Sequence, residues 1–269
     1  MTEISFFLLI LFKESCIFTI MKKYTYFRIL FIASILIFGA CKDDVKDEDD
    51  VVEPKVQVMV DMYYDNQHLD FNTEYLTEDG YRIKFSKVNF ILTAFKNGEH
   101  QLFSAAVYKF EEDQHLVWKG EGDYTRFNQL NGTLGVIESE NHKDPSARPL
   151  DDPLNIMNAG DMHWGWNPGY IFLAIEGRAD TTQNQSGTFN HILTYHVGLN
   201  DFTRPLSFES IDWVKKSDLL HEFRFKIDLS VLFNGENKVD VKTERSSHTN
   251  PGEEELSARI IDNFVTGID

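Results

Sequence analysis

Residues Phe223-Arg224-Phe225-Lys226-Ile227-Asp228-Leu229-Ser230-Val231 alternate apolar and polar side chains without a break. Successive side chains of a strand point to opposite faces, so a period of two describes a half-buried strand and not an amphipathic helix. Val56-Gln57-Val58-Met59-Val60-Asp61-Met62 repeats the pattern, and Val88, Phe90, Leu92 and Ala94 follow it more loosely. Tyr170-Ile171-Phe172-Leu173-Ala174-Ile175 is apolar at both parities, as expected of a central strand covered on two faces. Residues 189–197 form another strand candidate, rich in aromatic and β-branched side chains. Asn97-Gly98, Asn131-Gly132 and Asn234-Gly235 are expected to turn the chain between strands.

Helical signals are confined to the end. Asn250-Pro251-Gly252-Glu253-Glu254 offers a cap, a proline at the first helical position and carboxylates in the first turn. Leu256, Ile260 and Phe264 follow at a spacing of four, one stripe to pack on a sheet, with Gly267 as the stop. Residues 212–220 are expected to form a second short helix. The fold class that follows is all-β: an antiparallel β-sandwich with a short C-terminal helix and minor helical insertions.

The N-terminal region has a different character. Met21-Lys22-Lys23 opens a basic stretch that reaches Arg28, the apolar run 29–38 follows, and Gly39-Ala40-Cys41 closes it. This order resembles a bacterial lipoprotein signal, with 21–40 as signal peptide and Cys41 as the lipidated first residue of the mature chain. Residues 1–20 then read as an upstream extension. This ten-residue run is half of the roughly 20 that a membrane helix needs, so the expected membrane attachment is the lipid on Cys41 alone. Residues 41–53 are too charged to bury apolar surface and read as an acidic tether. Lys42-Asp43-Asp44 resembles the surface-export signal of Bacteroidetes lipoproteins. The expected location is therefore the outer membrane, on its periplasmic or cell-surface side, with the surface favoured. The folded domain would occupy residues 54–269.

Charge narrows the choice of partner. The chain carries a net charge of −17; removing residues 1–40 takes four basic and two acidic side chains and leaves 22 against 41, near −19. Such a field repels nucleic acid and favours cations. The only cysteines are Cys16 and Cys41, so the domain after the tether has neither a disulfide nor a thiolate ligand.

Candidate chemistry is concentrated in Met162-His163-Trp164-Gly165-Trp166-Asn167-Pro168-Gly169-Tyr170, which holds two of the four tryptophans. Thioether and imidazole suit copper, and indole is an oxidisable ring with a cation-binding face. Read as extended, the segment sends Met162, Trp164 and Trp166 to one face and His163, Gly165 and Asn167 to the other. The plainer alternative is two core tryptophans, an exposed histidine and a Pro-Gly turn. On 189–197, His191 shares a face with Leu193 and Tyr195, while His196 shares the other with Ile192 and Thr194. Gly198 releases that strand into a loop, which places His196 at a rim. His248 lies in the polar run Ser246-Ser247-His248-Thr249-Asn250. The chain has no His-x-x-x-His, Cys-x-x-Cys, Gly-rich phosphate loop or Gly-x-Ser-x-Gly, so zinc hydrolase, nucleotide and serine hydrolase chemistries lack their motifs. Asp151-Asp152, Glu138 with Glu140, and Asp61 with Asp65 could hold calcium or pair for acid–base work. None has EF-hand spacing, so calcium has no motif behind it.

Taken in order, these pieces resemble the MbnP-like family, a methanobactin-associated copper-binding group. They run from Phe85-Ser86-Lys87-Val88-Asn89-Phe90-Ile91-Leu92 and Leu154-Asn155-Ile156-Met157 to Met162-x-Trp164-x-Trp166-Asn167-x-Gly169-Tyr170-Ile171-Phe172. Glu176-Gly177, Tyr195-His196-Val197-Gly198, His248 and the final helix complete them. The resemblance implies a β-sandwich that binds copper. In some members this follows oxidation of a tryptophan to kynurenine by a di-haem partner of the cytochrome c peroxidase/MauG type. On this chain it makes Trp164 or Trp166 the modified residue, His196 and His248 the leading imidazole ligands, Met162 a weaker thioether candidate, and His163 and His191 less motif-matched ones, with no turnover of its own. A reading from a different class is a surface lipoprotein module that binds glycan or protein through Trp118, Trp213 and Tyr124 without metal. A hydrolase built on an unrecognised carboxylate pair is a third.

Overall fold

The computed structural model describes residues 53–165, 168–182 and 185–269; the expected upstream extension, signal peptide, Cys41 and most of the tether lie outside the described residues. In chain order the strands begin with β1 (Lys55–Tyr64), β2 (Gln67–His68), β3 (Tyr75–Leu76), β4 (Arg82–Asn97), β5 (His100–Lys109), β6 (Leu116–Glu121) and β7 (Leu130–Leu134). They continue as β8 (His163–Gly165), β9 (Gly169–Asp180), β10 (His191–Gly198), β11 (Arg204–Phe208), β12 (Val214–Ser217), β13 (Leu220–Asp228) and β14 (Ser246–Ser247). One sheet runs β12-β13-β1-β2 with β6 also on β1; the other runs β11-β7-β4-β9-β10-β14 with β3, β5 and β8 attached. Aromatic rings bridge the two sheets: Phe208 of β11 sits 5.2 and 5.4 Å from Phe223 and Phe225 of β13, and Phe103 of β5 lies 5.3 Å from Trp118 of β6. The expected all-β sandwich is thus present.

Strand direction differs from the expectation. β1 pairs with β13 in parallel over nine residues, and β10 pairs with β14 in parallel, so both sheets are mixed. Alternation reports which face is buried and says nothing of direction, because both ladder types share the period of two. The inward set is as read: Val56, Val58, Val60 and Met62 on β1, and Phe223, Phe225 and Ile227 on β13, are buried. β9 is buried on both parities from Gly169 to Ile175 and sits between β4 and β10.

Three local expectations are corrected. Residues 212–220 form no helix; they hold the edge strand β12, whose Val214 and Lys215 pair with Glu222 and His221, and the turn into β13. The partner strand decides a segment whose own sequence is undecided. Asn131-Gly132 is no turn but the middle of β7, where the Phe95 ring lies on the glycine; a Cβ there would come 2.2 Å from Phe95 Cδ2. The last helix begins at Glu254 rather than Pro251, because Thr249 and Gly252 have φ of 57° and 94° and cannot enter a right-handed turn. Its buried stripe is Ser257, Ile260, Ile261 and Phe264, with Phe264 5.8 Å from Phe90 of β4, and it ends at Gly267 as expected.

At the far end of β9, the fully buried Asp180 side chain accepts hydrogen bonds from Thr182 Oγ1 at 2.5 Å, Thr182 N at 3.0 Å and Gly187 N at 3.1 Å. Arg82 Nη2 pairs with it at 3.0 Å. The Thr182 hydroxyl, aided by Arg82 and the two amides, holds this carboxyl well below the usual carboxylate range against the opposing effect of burial. A carboxyl that titrates lower in the folded chain stabilises fully above the unfolded value of about 4, and that gain fades as the pH falls through the folded value. Asp180→Asn is therefore expected to lower the urea midpoint at neutral pH, with the deficit narrowing below about pH 4. Equal deficits across a pH series of urea titrations would contradict this.

Candidate metal site

Two strand pairings build the site. Antiparallel pairing of β9 and β10 sets His196 opposite Ala174 and Thr194 opposite Glu176. Parallel pairing of β10 and β14 sets Thr194 beside Ser246 and Tyr195 beside Ser247. One step further along both chains come His196 and His248. Their ring centroids are 5.1 Å apart with planes at 80°, an edge-to-face pair. His196 lies on the parity opposite to buried Leu193, Tyr195 and Val197, so it points away from the core, as read.

The His248 backbone is held from three sides. Thr249 Oγ1 donates to the His196 carbonyl and accepts from Gly198 N, both at 3.2 Å. Ser247 Oγ lies 2.6 Å from Ser257 Oγ of the C-terminal helix, a contact between buried hydroxyls. Glu253 accepts from His248 N at 2.8 Å and Asn250 N at 3.1 Å. Burial alone would raise the Glu253 carboxyl; the two N–H groups outweigh it and hold the carboxyl below its ordinary value.

His196 carries its own acidic partner. Its Nε2 is 2.9 Å from Glu176 Oε1, and Lys87 Nζ reaches the same oxygen at 2.8 Å. Lys87 also pairs with Asp161 at 2.7 Å, just before the tryptophan segment. Burial, opposed by Glu176, lowers His196 below the ordinary imidazole value. Burial raises Glu176, but Lys87 and His196 overcome it and hold that carboxyl low. Neutral imidazole is the form that binds metals, and burial favours it here. Glu176 was not among the residues expected at the site. It is the lone acid closing the apolar run 170–175, and only the hairpin register shows that it reaches His196.

The tryptophan segment is less regular than an extended strand. Met162 ends a 3-10 turn, Gly160–Met162, and is fully buried in the core. It therefore shares no strand face with Trp164 and does not line the site. His163 is half-buried; its Nδ1 accepts from Gly165 N at 3.0 Å and its ring meets Tyr170 edge-on at 4.7 Å, so packing occupies it. Trp166 and Asn167 lie outside the described residues. Trp164 is half-buried and rests on Gly198, where a Cβ would come 2.5 Å from Trp164 Cζ3 and 2.6 Å from the Tyr170 carbonyl. A cleft of about 710 Å³ opens beside it, lined by Trp164, Pro168, Leu199, His248, Thr249, Asn250 and Pro251. The structure thus places Trp164 and His248 on one cleft with His196 against His248, and leaves Met162 and His163 out of that lining.

Other candidates are engaged elsewhere. Glu140 and Asp152 pair with Arg148, and Asp61 pairs with Arg224 and His115. His191 Nε2 is 2.9 Å from Thr181 Oγ1. Trp118, Trp213 and Tyr124 are half-buried against the core; Trp213 Nε1 donates to the Phe127 carbonyl at 2.6 Å, and Tyr124 stacks on His221 at 3.7 Å. Their ring faces serve packing.

Gly198→Ala is expected to displace the Trp164 ring and destabilise the fold by about 1–3 kcal/mol, the usual cost of overpacking against backbone. Near-ultraviolet circular dichroism and a urea titration check this; an unchanged aromatic spectrum would show that Trp164 does not rest on β10.

A comparison with curated proteins returns no match. Among solved structures, the chain is similar to MbnP from Methylosinus trichosporium, with 15% identity and a TM-score of 0.48 over 75% of this chain and 86% of that one. The model of the MbnP family matches residues 53–251, which takes in β1 through β14 and the imidazole pair. A match of that extent assigns the chain: the protein belongs to the MbnP family.

Proposed function

We propose that this protein is a lipid-anchored, extracytoplasmic copper-binding protein that holds the ion at His196 and His248 beside Trp164 and has no turnover of its own. The observation that supports the reading is the edge-to-face imidazole pair at 5.1 Å, of which His248 lines a cleft with an indole in its wall. Family membership supports the same role. The donor chemistry fits: imidazoles without thiolate suit copper, whereas calcium and magnesium require clustered oxygen ligands. Among the described residues no group of three His, Cys, Asp or Glu side chains could hold a metal. The family resemblance implies a further donor from the tryptophan segment. Oxidation of Trp164 or Trp166 to kynurenine by a di-haem peroxidase partner would replace an indole N–H with an aryl amine and a ketone, both able to act as ligands. Lipid on Cys41 would hold the domain at the outer membrane, its surface side favoured by Lys42-Asp43-Asp44.

Copper titration of the metal-free mature protein tests the site. His196→Ala and His248→Ala are each expected to weaken copper binding by roughly tenfold or more, with thermal unfolding close to wild type. A wild type that takes up no copper, or two variants that bind as it does, would overturn the assignment. For the modification, peptide mass analysis of residues 162–170 from the native host is expected to show an opened indole on one tryptophan. Two unaltered tryptophans would remove that step.

A further inference from the structure

We propose that Glu176 is the positioning residue of the site: it fixes His196 as the Nε2–H tautomer and so presents Nδ1 as the nitrogen offered to a metal ion. The inference deepens the copper reading and rests on it. A carboxylate can only accept hydrogen bonds, so the 2.9 Å contact between Glu176 Oε1 and His196 Nε2 requires the proton on Nε2. A neutral imidazole carries one proton, which leaves the lone pair on Nδ1.

The carboxylate is itself pinned. Lys87 and Glu176 are direct cross-strand partners, because the β4–β9 register slips between Phe85 and Lys87 and brings the lysine opposite. Gly177 makes that approach possible; a Cβ there would lie 2.3 Å from the Lys84 carbonyl oxygen. Asp161 then grips the far side of Lys87 at 2.7 Å. Thr194 is the residue opposite Glu176, so His196 is its diagonal neighbour, a separation that a glutamate spans. The lysine keeps the carboxylate charged and directs one oxygen at the imidazole. A carboxylate behind a histidine commonly orients the ring and raises its strength as a ligand, and its loss costs about 10- to 100-fold in metal affinity.

The test is read first without metal. In mature protein labelled with 15N-histidine, two-bond 1H–15N correlations are expected to show His196 protonated on Nε2. In Glu176→Ala the Nδ1–H form should appear, and Cu(I) affinity should fall about 10- to 100-fold. Glu176→Gln keeps an acceptor oxygen and should retain more of the Nε2–H form than the alanine variant, which guards against a misfolded alanine variant. A wild-type proton on Nδ1, an unchanged tautomer in Glu176→Ala, or a shifted tautomer with unchanged copper affinity would each overturn the proposal. A wild type that binds no copper would instead refute the copper reading, and the spectra alone would then decide whether Glu176 sets the tautomer.

Discussion

The parallel pairing of Ser246-Ser247 along β10 is the contact on which the site depends. It joins segments far apart in sequence, since Thr249 and His196 are separated by 53 residues. Closing so long a loop costs chain entropy that a two-residue ladder cannot offset alone. The additional free energy comes from the C-terminal helix. Burial of Ile260, Ile261 and Phe264 fixes the helix on the core, and the same helix then delivers Ser257 to Ser247 while Glu253, at its start, reaches His248. Apolar packing on one face of thirteen residues thus becomes the placement of an imidazole.

Polar groups on the outer face of the same sheet are arranged as a chain. Asp161, Lys87, Glu176, His196 and His248 follow one another from the connection before β8 to the edge at β14. Partly buried charges are costly unless paired, and removing one partner leaves the other exposed to that cost. Lys87 lies between two carboxylates and neutralises part of a field that the acidic composition makes strongly negative. Burial of His196, only 17% exposed, lowers its imidazole below the ordinary value against the pull of Glu176.

Much of the fold could be read from residue order. The alternation in β1 and β13, the doubly buried β9, the outward parity of His196 and the helix stop at Gly267 all follow from local pattern. What could not be read depends on distant partners. Nothing in Val214-Lys215-Lys216-Ser217 marks it as a strand; its neighbour Leu220–Asp228 does that. Gly132 resembles a turn glycine until the Phe95 ring is placed over it. Met162 reads as part of an extended run because a 3-10 turn of three residues leaves no periodic trace. His248 could be named from the family pattern, but its neighbour required a parallel register that no spacing encodes. The role of Glu176 is hidden for the same reason: its meaning lies in the diagonal to His196.

The claim that β14 sets His248 against His196 is tested most directly by proton–proton nuclear Overhauser effects between the two rings in metal-free protein. Ring centroids 5.1 Å apart in an edge-to-face pair predict cross-peaks from ring protons of one imidazole to those of the other. A folded protein in which both rings are assigned and no such cross-peak appears would contradict the register, and with it the site.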